Sequence, residues 1–159
     1  MKSNCDVLLV GGGIAGLMAA HKLSDLGLRV SLIEKQQTLA SGPSTRNEGW
    51  LHRGTYHASS IRNRAAAIQV ARRCIYGHEQ LQRFAPEAVE DASIPSLALM
   101  RDEASIPEAI SRWNEANVHY RAISHAEAKK IVPEASFESA SGIFQVADAS
   151  LNTRILYRN

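Results

Sequence analysis

Apolar and polar residues along the chain form blocks that predict a strand, a helix and a second strand. The continuous apolar run of residues 5–10 (CDVLLV) predicts a strand buried on both faces of a parallel sheet. Apolar residues then recur at helical spacing over residues 14–26, and Gly27 supplies the expected stop. Residues 29–34 (RVSLIE) predict the second strand, so residues 1–35 form one βαβ unit with glycines in its first turn.

The remaining pattern predicts an irregular loop, a long helix and then shorter alternating elements. Residues 38–57 hold three glycines and a proline among small polar residues, a composition typical of a functional loop. A long helix is expected from Ser60 to Phe84, and its buried face is expected to hold Ile61, Ala65, Ile68, Ala71, Ile75 and His78 or Leu81. Strands are expected over residues 96–102, 118–124 and 141–148. Helices are expected over residues 105–117, from residue 125 to a stop near Pro133, and from residue 149 onward.

Composition indicates an ordinary globular protein: 45% of the residues are hydrophobic and 21% are charged. A formal net charge of +2 is too small to indicate a nucleic-acid partner. Cys5 and Cys74 match no metal or redox spacing, and we expect two reduced thiols. His57 and Glu48 have no further ligands at metal-site spacing, so no metal site is predicted. No signal peptide fits before the first strand and no transmembrane segment is expected, which predicts a cytoplasmic protein.

Gly11, Gly13 and Gly16 have the G-x-G-x-x-G spacing of a dinucleotide-binding turn. The first glycine permits the tight turn, the second lets the backbone approach a pyrophosphate, and the third lets helix and strand pack closely. The pyrophosphate would rest on the positive end of the helix. Glu34 ends the second strand, where a carboxylate can accept hydrogen bonds from an adenosine ribose. A turn that binds nothing is the alternative, but it does not account for Glu34.

The fingerprint serves both NAD and FAD, and the two classes differ in the segment after it. A simple nicotinamide enzyme would continue quickly with strands that alternate with helices. Here an irregular glycine-rich loop and a very long helix come after Glu34.

Two segments carry a resemblance to a known family: TRNEGWLHRGTYH (residues 45–57) and ARRCIYGHEQL (residues 71–81). They resemble the FAD-dependent oxidoreductases of the D-amino acid oxidase superfamily, and most of all its L-2-hydroxyglutarate dehydrogenase branch. Members of that branch carry a related N-x-G-x-x-H-x-G-x-Y pattern, which is reproduced by Asn47, Gly49, His52, Gly54 and Tyr56. Residues 96–135 also show the superfamily's order of strand, helix, strand and short helix.

The resemblance implies an α/β fold with two parts. Residues 1–90 would form a Rossmann-like FAD-binding βαβ domain that includes the long helix, and residues 91–159 the beginning of an α+β substrate domain. Members of the superfamily extend well beyond this length. We therefore expect a truncated fragment, or a chain that a second polypeptide or a homo-oligomer completes.

The resemblance implies FAD as the cofactor and assigns residues to it. The backbone of Gly11, Gly13, Ile14, Ala15 and Gly16 would hold the pyrophosphate, Glu34 the ribose, and Lys35 would lie near the adenine. The superfamily segment that passes the pyrophosphate and the flavin corresponds to Ser44, Thr45, Arg46 and Asn47. His52 is the candidate catalytic residue, because a histidine in this loop could polarise the substrate, orient the flavin or tether it. A purely structural histidine is the alternative reading.

The implied reaction oxidises the Cα–H of a small 2-hydroxy acid or amino acid by hydride transfer to flavin. The electron acceptor would be oxygen, a quinone or a protein. One alternative is a non-catalytic FAD-binding fragment or a subunit that needs a partner chain. A third reading, an NAD-linked dehydrogenase, accounts for residues 1–35 but not for the loop after them.

Overall fold

The computed structural model describes residues 4–46, 48–90 and 95–157, and the contacts along the chain divide it after Gly49. One unit lies within Met1–Gly49 and the other is Trp50–Tyr157. The sequence suggests a division near residue 90, whereas in the structure the long helix belongs to the second unit and not with the glycine turn. The functional assignment of the two predicted domains stays a prediction.

The first unit is built on a βαβ arrangement, as the sequence predicted. Strands β1 (Val7–Val10) and β2 (Val30–Ile33) pair in parallel, and helix α1 (Ile14–Asp25) connects them. A short 3-10 turn, Pro43–Thr45, lies in the loop after β2.

One face of the β1–β2 sheet is exposed, so the prediction of a strand buried on both faces was wrong. Leu32 lies beneath α1, where a Cβ built on Gly16 would be 3.7 Å from its Cδ1. On the opposite face, Leu8, Val10 and Ile33 are 56%, 81% and 52% exposed. Side chains alternate along a strand, and α1 covers only one of the two sets, whereas burial of both needs helices on both faces.

The second unit combines helices with small antiparallel sheets. Strand β3 (Trp50–Leu51) pairs with β7 (Ala149–Ser150), while β4 (Ser96–Met100), β5 (Tyr120–Ala122) and β6 (Gly142–Val146) form a sheet in the order β4-β6-β5. The helices are α2 (Thr55–Ser60), α3 (Arg64–Phe84), α4 (Ile106–Ala116), α5 (His125–Ile131) and α6 (Thr153–Leu156).

The main core of this unit lies between α3, α4 and one face of the three-stranded sheet. Ile68 from α3, Trp113 from α4 and Phe144 from β6 are all buried there. The Trp113 ring centroid lies 5.0 Å from that of Phe144 and 5.1 Å from that of Tyr120. Its indole Nε1–H donates to the carbonyl oxygen of Thr55 at 2.9 Å, which ties α2 to this core.

Helix α3 begins at Arg64 and not at the predicted Ser60. Asn63 is its N-cap, and the Asn63 side chain accepts a hydrogen bond from the backbone N–H of Ala66 at 2.9 Å. The residues before this cap form the separate short helix α2.

The buried face of α3 agrees only in part with the prediction. Ile68, Ala71 and His78 are buried as expected, but Ala65 is exposed and Ala67 is fully buried in its place. Since α3 packs against both α2 and α4, its buried face is centred on a different set of alanines.

The helix predicted from residue 149 onward was wrong at its start. Ala149–Ser150 pair with Trp50–Leu51, and the helix is confined to Thr153–Leu156. Two-residue strands are too short for alternation to be visible in the sequence, and their pairing joins distant parts of the chain.

No helix in the described part of the chain has the length and apolar content that crossing a bilayer would require. The cytoplasmic localisation stays a prediction. Within residues 4–46, 48–90 and 95–157, no three His, Cys, Asp or Glu side chains stand where they could share a metal ion.

Helix α5 begins with a capping box formed by Ser124 and Glu127. Ser124 Oγ accepts a hydrogen bond from the Glu127 N–H at 3.2 Å, and the Glu127 carboxylate accepts one from the Ser124 N–H at 2.9 Å. The guanidinium of Arg121 also donates to this carboxylate at 2.9 Å. These bonds, led by that of the Ser124 backbone, lower the pKa of Glu127 from 4.5 to about 2.

We expect Glu127→Gln to weaken the acid dependence of stability. A carboxylate with a lowered folded-state pKa contributes stability fully above its ordinary pKa of 4.5, and loses it as the pH falls towards about 2. Thermal unfolding midpoints measured down to about pH 2 should therefore decline less for this variant than for the wild type. Glu138→Gln, outside the capping box, is the matched control and should keep the wild-type profile. An unaltered profile in Glu127→Gln would show that the capping box does not couple protonation to folding.

Candidate functional site

The turn between β1 and α1 contains the three predicted glycines, and a side chain would be forbidden at Gly16 but only closely packed at Gly13. A Cβ on Gly16 would lie 1.9 Å from the carbonyl oxygen of Gly11, far inside any permitted contact. A Cβ on Gly13 would lie 3.2 Å from Ser44 Oγ. Gly16 therefore lets the helix approach the strand, and Gly13 keeps the outer side of the turn clear.

The positive end of α1 meets the loop after β2. Ser44 Oγ accepts a hydrogen bond from the backbone N–H of Ile14 at 3.0 Å. The N-cap residue, Gly13, has no side chain, so a hydroxyl from the loop replaces the usual N-cap side chain. Ala15 contributes the next amide of the same first turn. Ile14, Ala15 and Ser44 are thus brought together where an anion is favoured electrostatically.

Glu34 comes directly after β2 and its carboxylate contacts the glycine turn. Its Oε2 accepts a hydrogen bond from the Gly12 N–H at 2.6 Å, and its Oε1 accepts one from the Gln36 N–H at 2.9 Å. These bonds, that of Gln36 first, hold the pKa of Glu34 below its ordinary value. Because each carboxylate oxygen has a further lone pair, Glu34 can also accept a hydrogen bond from a sugar hydroxyl.

The loop over residues 38–46 is anchored to the glycine turn through Ala40. The Ala40 N–H donates to the carbonyl oxygen of Gly12 at 2.8 Å, and Thr45 Oγ1 donates to the Ala40 carbonyl oxygen at 2.7 Å. Ala40 is buried and has a φ of 54°, a left-handed conformation that costs a residue with a Cβ about 1–2 kcal/mol. The anchoring bonds hold this conformation against that cost.

These groups surround a crevice of about 400 Å³ in the first unit. Its lining includes Gly13, Glu34, Lys35, Gly42, Ser44 and Arg46. Lys35 and Arg46 add two cationic side chains near the positive end of α1, a combination suited to phosphate groups. Of the predicted cofactor residues, Asn47 lies outside the described residues.

His52, the predicted catalytic residue, lies in the second unit directly after β3. Its Nδ1 lies 3.4 Å from Asp148 Oδ2, and Asp148 Oδ1 accepts a hydrogen bond from the Arg53 N–H at 2.6 Å. The His52 ring stacks on Tyr56 with centroids 5.7 Å apart, and meets the His57 ring edge-on at 5.0 Å. The His52 side chain is 22% exposed and that of Asp148 only 5%.

Gly54 holds the segment that carries His52 close to the core. It has a φ of 95°, and a Cβ there would lie 2.9 Å from the Ala71 carbonyl oxygen and 3.2 Å from Val118 Cγ2. The glycine of the predicted H-x-G pattern is therefore required both by its conformation and by the lack of space.

His57 and Cys74 form a neighbouring contact, with Nδ1 and Sγ 3.6 Å apart. Partial burial, followed by the charge of His52, lowers the pKa of His57. Burial, followed by the charge of Asp148, raises the pKa of Cys74. Both shifts favour the neutral imidazole and the protonated thiol. Cys5 and Cys74 are both free, as the sequence predicted.

Asp148 is the functional candidate that the sequence did not identify. It stands at the end of the predicted strand over residues 141–148. Its acidic side chain at the end of a strand was the only feature of the sequence that could have indicated a functional role. Its proximity to His52 depends on the pairing of β3 with β7, which was not predicted.

We expect Gly16→Ala to destabilise the first unit by about 1–3 kcal/mol or more, because the added methyl group would collide with backbone and not with a movable side chain. Urea unfolding would measure the loss in free energy of unfolding. Gly77→Ala is the control, since a Cβ at Gly77 in α3 meets no atom within 4 Å and should stabilise the helix by about 0.5–1 kcal/mol. Equal stability of Gly16→Ala and wild type would mean that this close approach does not constrain the fold.

Comparison with known proteins adds to this geometry. The family described as FAD dependent oxidoreductase (DAO) matches residues 6–158. The A subunit of the anaerobic glycerol-3-phosphate dehydrogenase of Escherichia coli (strain K12) is 30% identical over 148 residues, covering 92% of this chain and 26% of that protein. The L-2-hydroxyglutarate dehydrogenase of Indibacter alkaliphilus is 31% identical over 83 residues, covering 51% of this chain and 19% of that protein.

A solved structure supports the fold. The L-α-glycerophosphate oxidase of Mycoplasma pneumoniae, with FAD bound, superposes with a TM-score of 0.74 at 22% identity. The match covers 97% of this chain and 40% of that chain. This chain therefore spans well under half the length of these relatives.

The predictions of a flavoenzyme fold and of FAD as the cofactor are confirmed by the family match, which also disfavours the NAD-linked alternative. The match runs through almost the whole chain, and a relative at 30% identity covers 92% of it. We conclude that the chain belongs to the DAO family of FAD-dependent oxidoreductases.

Proposed function

We propose that this chain supplies the FAD-binding part of an enzyme that oxidises the carbon bearing a hydroxyl group in a small anionic substrate. The observation that carries the proposal is the crevice of the first unit, where the glycine turn, the positive end of α1 and Glu34 converge. FAD, when bound, supplies the acceptor for the hydride of the substrate C–H. The chain's own residues hold and orient the cofactor.

The geometry of the crevice supports a role for the predicted cofactor residues that the structure describes. The amides of Gly13 and Ala15 would bind the pyrophosphate at the end of α1, that of Ile14 would do so in exchange for its bond to Ser44, and Gly11 and Gly16 would shape the turn. Glu34 would accept hydrogen bonds from the ribose, and Lys35 would lie beside the adenine. Ser44 and Arg46 would contact phosphate oxygens. Thr45 already donates its hydroxyl to Ala40, so its contribution would be to fix the loop.

The names of two relatives support a hydroxyl-bearing substrate. Both relatives compared above at 30% identity or more carry the names of alcohol substrates, glycerol 3-phosphate and L-2-hydroxyglutarate. Each of these compounds has a secondary alcohol and at least one anionic group. A small 2-hydroxy acid or hydroxyalkyl phosphate is therefore the substrate class that we propose, with oxygen, a quinone or a protein as the electron acceptor.

A completing polypeptide or a second copy of the chain forms part of this proposal. The chain covers 26% of the Escherichia coli relative, which is itself one subunit of its enzyme. We propose that the groups that bind the substrate's anionic end come from that further polypeptide. His52 is the residue of this chain that we propose to act in the chemistry.

We expect Gly13→Ala to fold and yet to weaken FAD binding by about tenfold or more, roughly 1.4 kcal/mol. Gly13 has an extended backbone that alanine adopts without strain, and its Cβ would meet only the hydroxyl of Ser44. The same methyl group would stand between the turn and a pyrophosphate. Titration with FAD, followed by visible absorption, measures the affinity, and thermal unfolding checks the fold. Gly77→Ala should bind FAD like the wild type. Undiminished affinity in Gly13→Ala would place the pyrophosphate elsewhere.

The visible spectrum of the purified chain, recorded before and after acid precipitation, tests the cofactor directly. Flavin bands that stay in the supernatant indicate a non-covalent cofactor. Colour that stays with the pellet indicates a covalent link, and its loss in His52→Gln would identify the attachment point. A colourless chain that takes up no added FAD would favour the non-catalytic alternative, a fragment or subunit that needs its partner.

A further inference from the structure

We propose that Asp148 is a positioning residue for His52: its carboxylate fixes the imidazole proton on Nδ1, which puts the basic lone pair on Nε2. The use of that lone pair toward a substrate rests on the proposed function. The placement of the proton rests only on contacts within the second unit.

The contacts of the Asp148 carboxylate favour protonation of His52 at Nδ1. Its Oδ1 accepts a hydrogen bond from the Arg53 N–H at 2.6 Å and lies 3.5 Å from Thr55 Oγ1. Its Oδ2 lies 3.4 Å from His52 Nδ1. A carboxylate can only accept hydrogen bonds, so Nδ1 must be the donor in this contact. Catalytic hydrogen bonds are often this long before the substrate binds, and they shorten in the complex.

Asp148 is itself held firmly on the side of the unit where His52 lies. It directly precedes β7, in which Ala149 pairs with Leu51, the residue before His52. Its carbonyl oxygen accepts a hydrogen bond from Ser96 Oγ at 2.7 Å. With its side chain only 5% exposed, the carboxylate must be satisfied by partners inside the protein, and residues 52–55 supply them.

The imidazole ring is also held from its other sides. Tyr56 stacks on it with an interplanar angle of 23°, and His57 meets it at 89°. A partial rotation about the bond between Cβ and the ring would weaken both ring contacts, and a half-turn would put Cδ2 beside Asp148 in place of Nδ1. The ring is therefore fixed in orientation as well as in tautomer.

This arrangement suits the oxidation of an alcohol. The substrate hydroxyl would donate its hydrogen bond to His52 Nε2. When the C–H bond breaks, the hydrogen would leave with the electron pair as a hydride, for which bound FAD would supply the two-electron acceptor. The O–H proton passes to Nε2 and a C=O bond forms, so the substrate is oxidised by two electrons. Asp148 would stabilise the resulting imidazolium by its negative charge.

The test is Asp148→Asn, because its effect on the tautomer follows from the geometry. The amide oxygen of the new side chain should keep the short bond from the Arg53 N–H, which turns the NH2 group towards His52. An NH2 group donates, so Nδ1 would become the acceptor and the proton would move to Nε2. ¹⁵N NMR of the imidazole nitrogens in the full chain distinguishes the two tautomers, and His52→Gln identifies the His52 signals.

We expect the wild type to carry the neutral-imidazole proton on Nδ1 and Asp148→Asn to carry it on Nε2. Ser96→Ala is the matched control, since it removes a hydrogen bond to Asp148 without altering the carboxylate, and it should keep the wild-type tautomer. Thermal unfolding of all variants monitors the fold. A wild-type His52 with its proton on Nε2 would overturn the proposal, even if Asp148→Asn failed to fold.

The catalytic consequence is measured separately. In the FAD-loaded chain with its completing polypeptide, flavin reduction by a saturating 2-hydroxy acid or hydroxyalkyl phosphate should slow about a hundredfold in Asp148→Asn and remain unchanged in Ser96→Ala. Absence of FAD binding, with the expected tautomers, would reject the proposed function and leave the proton placement intact. An inverted tautomer with an unchanged rate of flavin reduction would reject the role of Nε2 in the chemistry.

Discussion

Helix α1 approaches strand β1 so closely at Gly16 that no side chain fits between them, and the arrangement of the first unit depends on this contact. The Gly11 carbonyl oxygen occupies the space that a Cβ would need. The approach fixes the start of α1 beside the end of β2, where Glu34 accepts the Gly12 N–H and Ser44 accepts the Ile14 N–H. The groups that we propose for phosphate and ribose at the glycine turn are therefore positioned by backbone packing.

The second unit is organised by a carboxylate instead. Asp148 accepts hydrogen bonds from the segment over residues 52–55, and Gly54 allows the same segment to lie against Ala71 and Val118. The close approach at Gly16 and the Asp148 carboxylate have a common effect. Each one brings polar groups to a fixed position by satisfying hydrogen bonds inside the protein, which limits their freedom before any ligand binds.

The elements that the sequence predicted are those with local signals. The βαβ unit, α4 and α5 have periodic apolar residues together with caps or turn glycines, and each lies close to its predicted position. The choice between Ala65 and Ala67 on the buried face of α3 could not be made, because both are alanine and only the neighbouring helices distinguish them. The exposure of Val10 was missed for a similar reason: an apolar run indicates the capacity for burial, and the neighbouring elements decide whether it occurs.

In the candidate site too, the residues with a local sequence signal were predicted and those positioned by distant parts of the chain were not. The glycine turn and Glu34 lie within a single βαβ unit, so their spacing carried the prediction. Asp148 was not predictable, because its contact with His52 depends on two strands of two residues each at opposite ends of the second unit. No local pattern specifies such a pairing.

The pairing of Trp50–Leu51 with Ala149–Ser150 also affects the order in which the chain can fold. Because these two strands lie far apart in the sequence, their pairing must close a long loop, which costs conformational entropy before the contact can compensate for it. Contacts between residues so distant in sequence form slowly. On the ribosome, β1 and β2 can pair as soon as the first unit has emerged, long before Asp148 has been synthesised. A nascent or proteolysed chain that ends before Asp148 would thus have a complete glycine turn. Its His52 imidazole, however, would lack the carboxylate that favours one tautomer over the other.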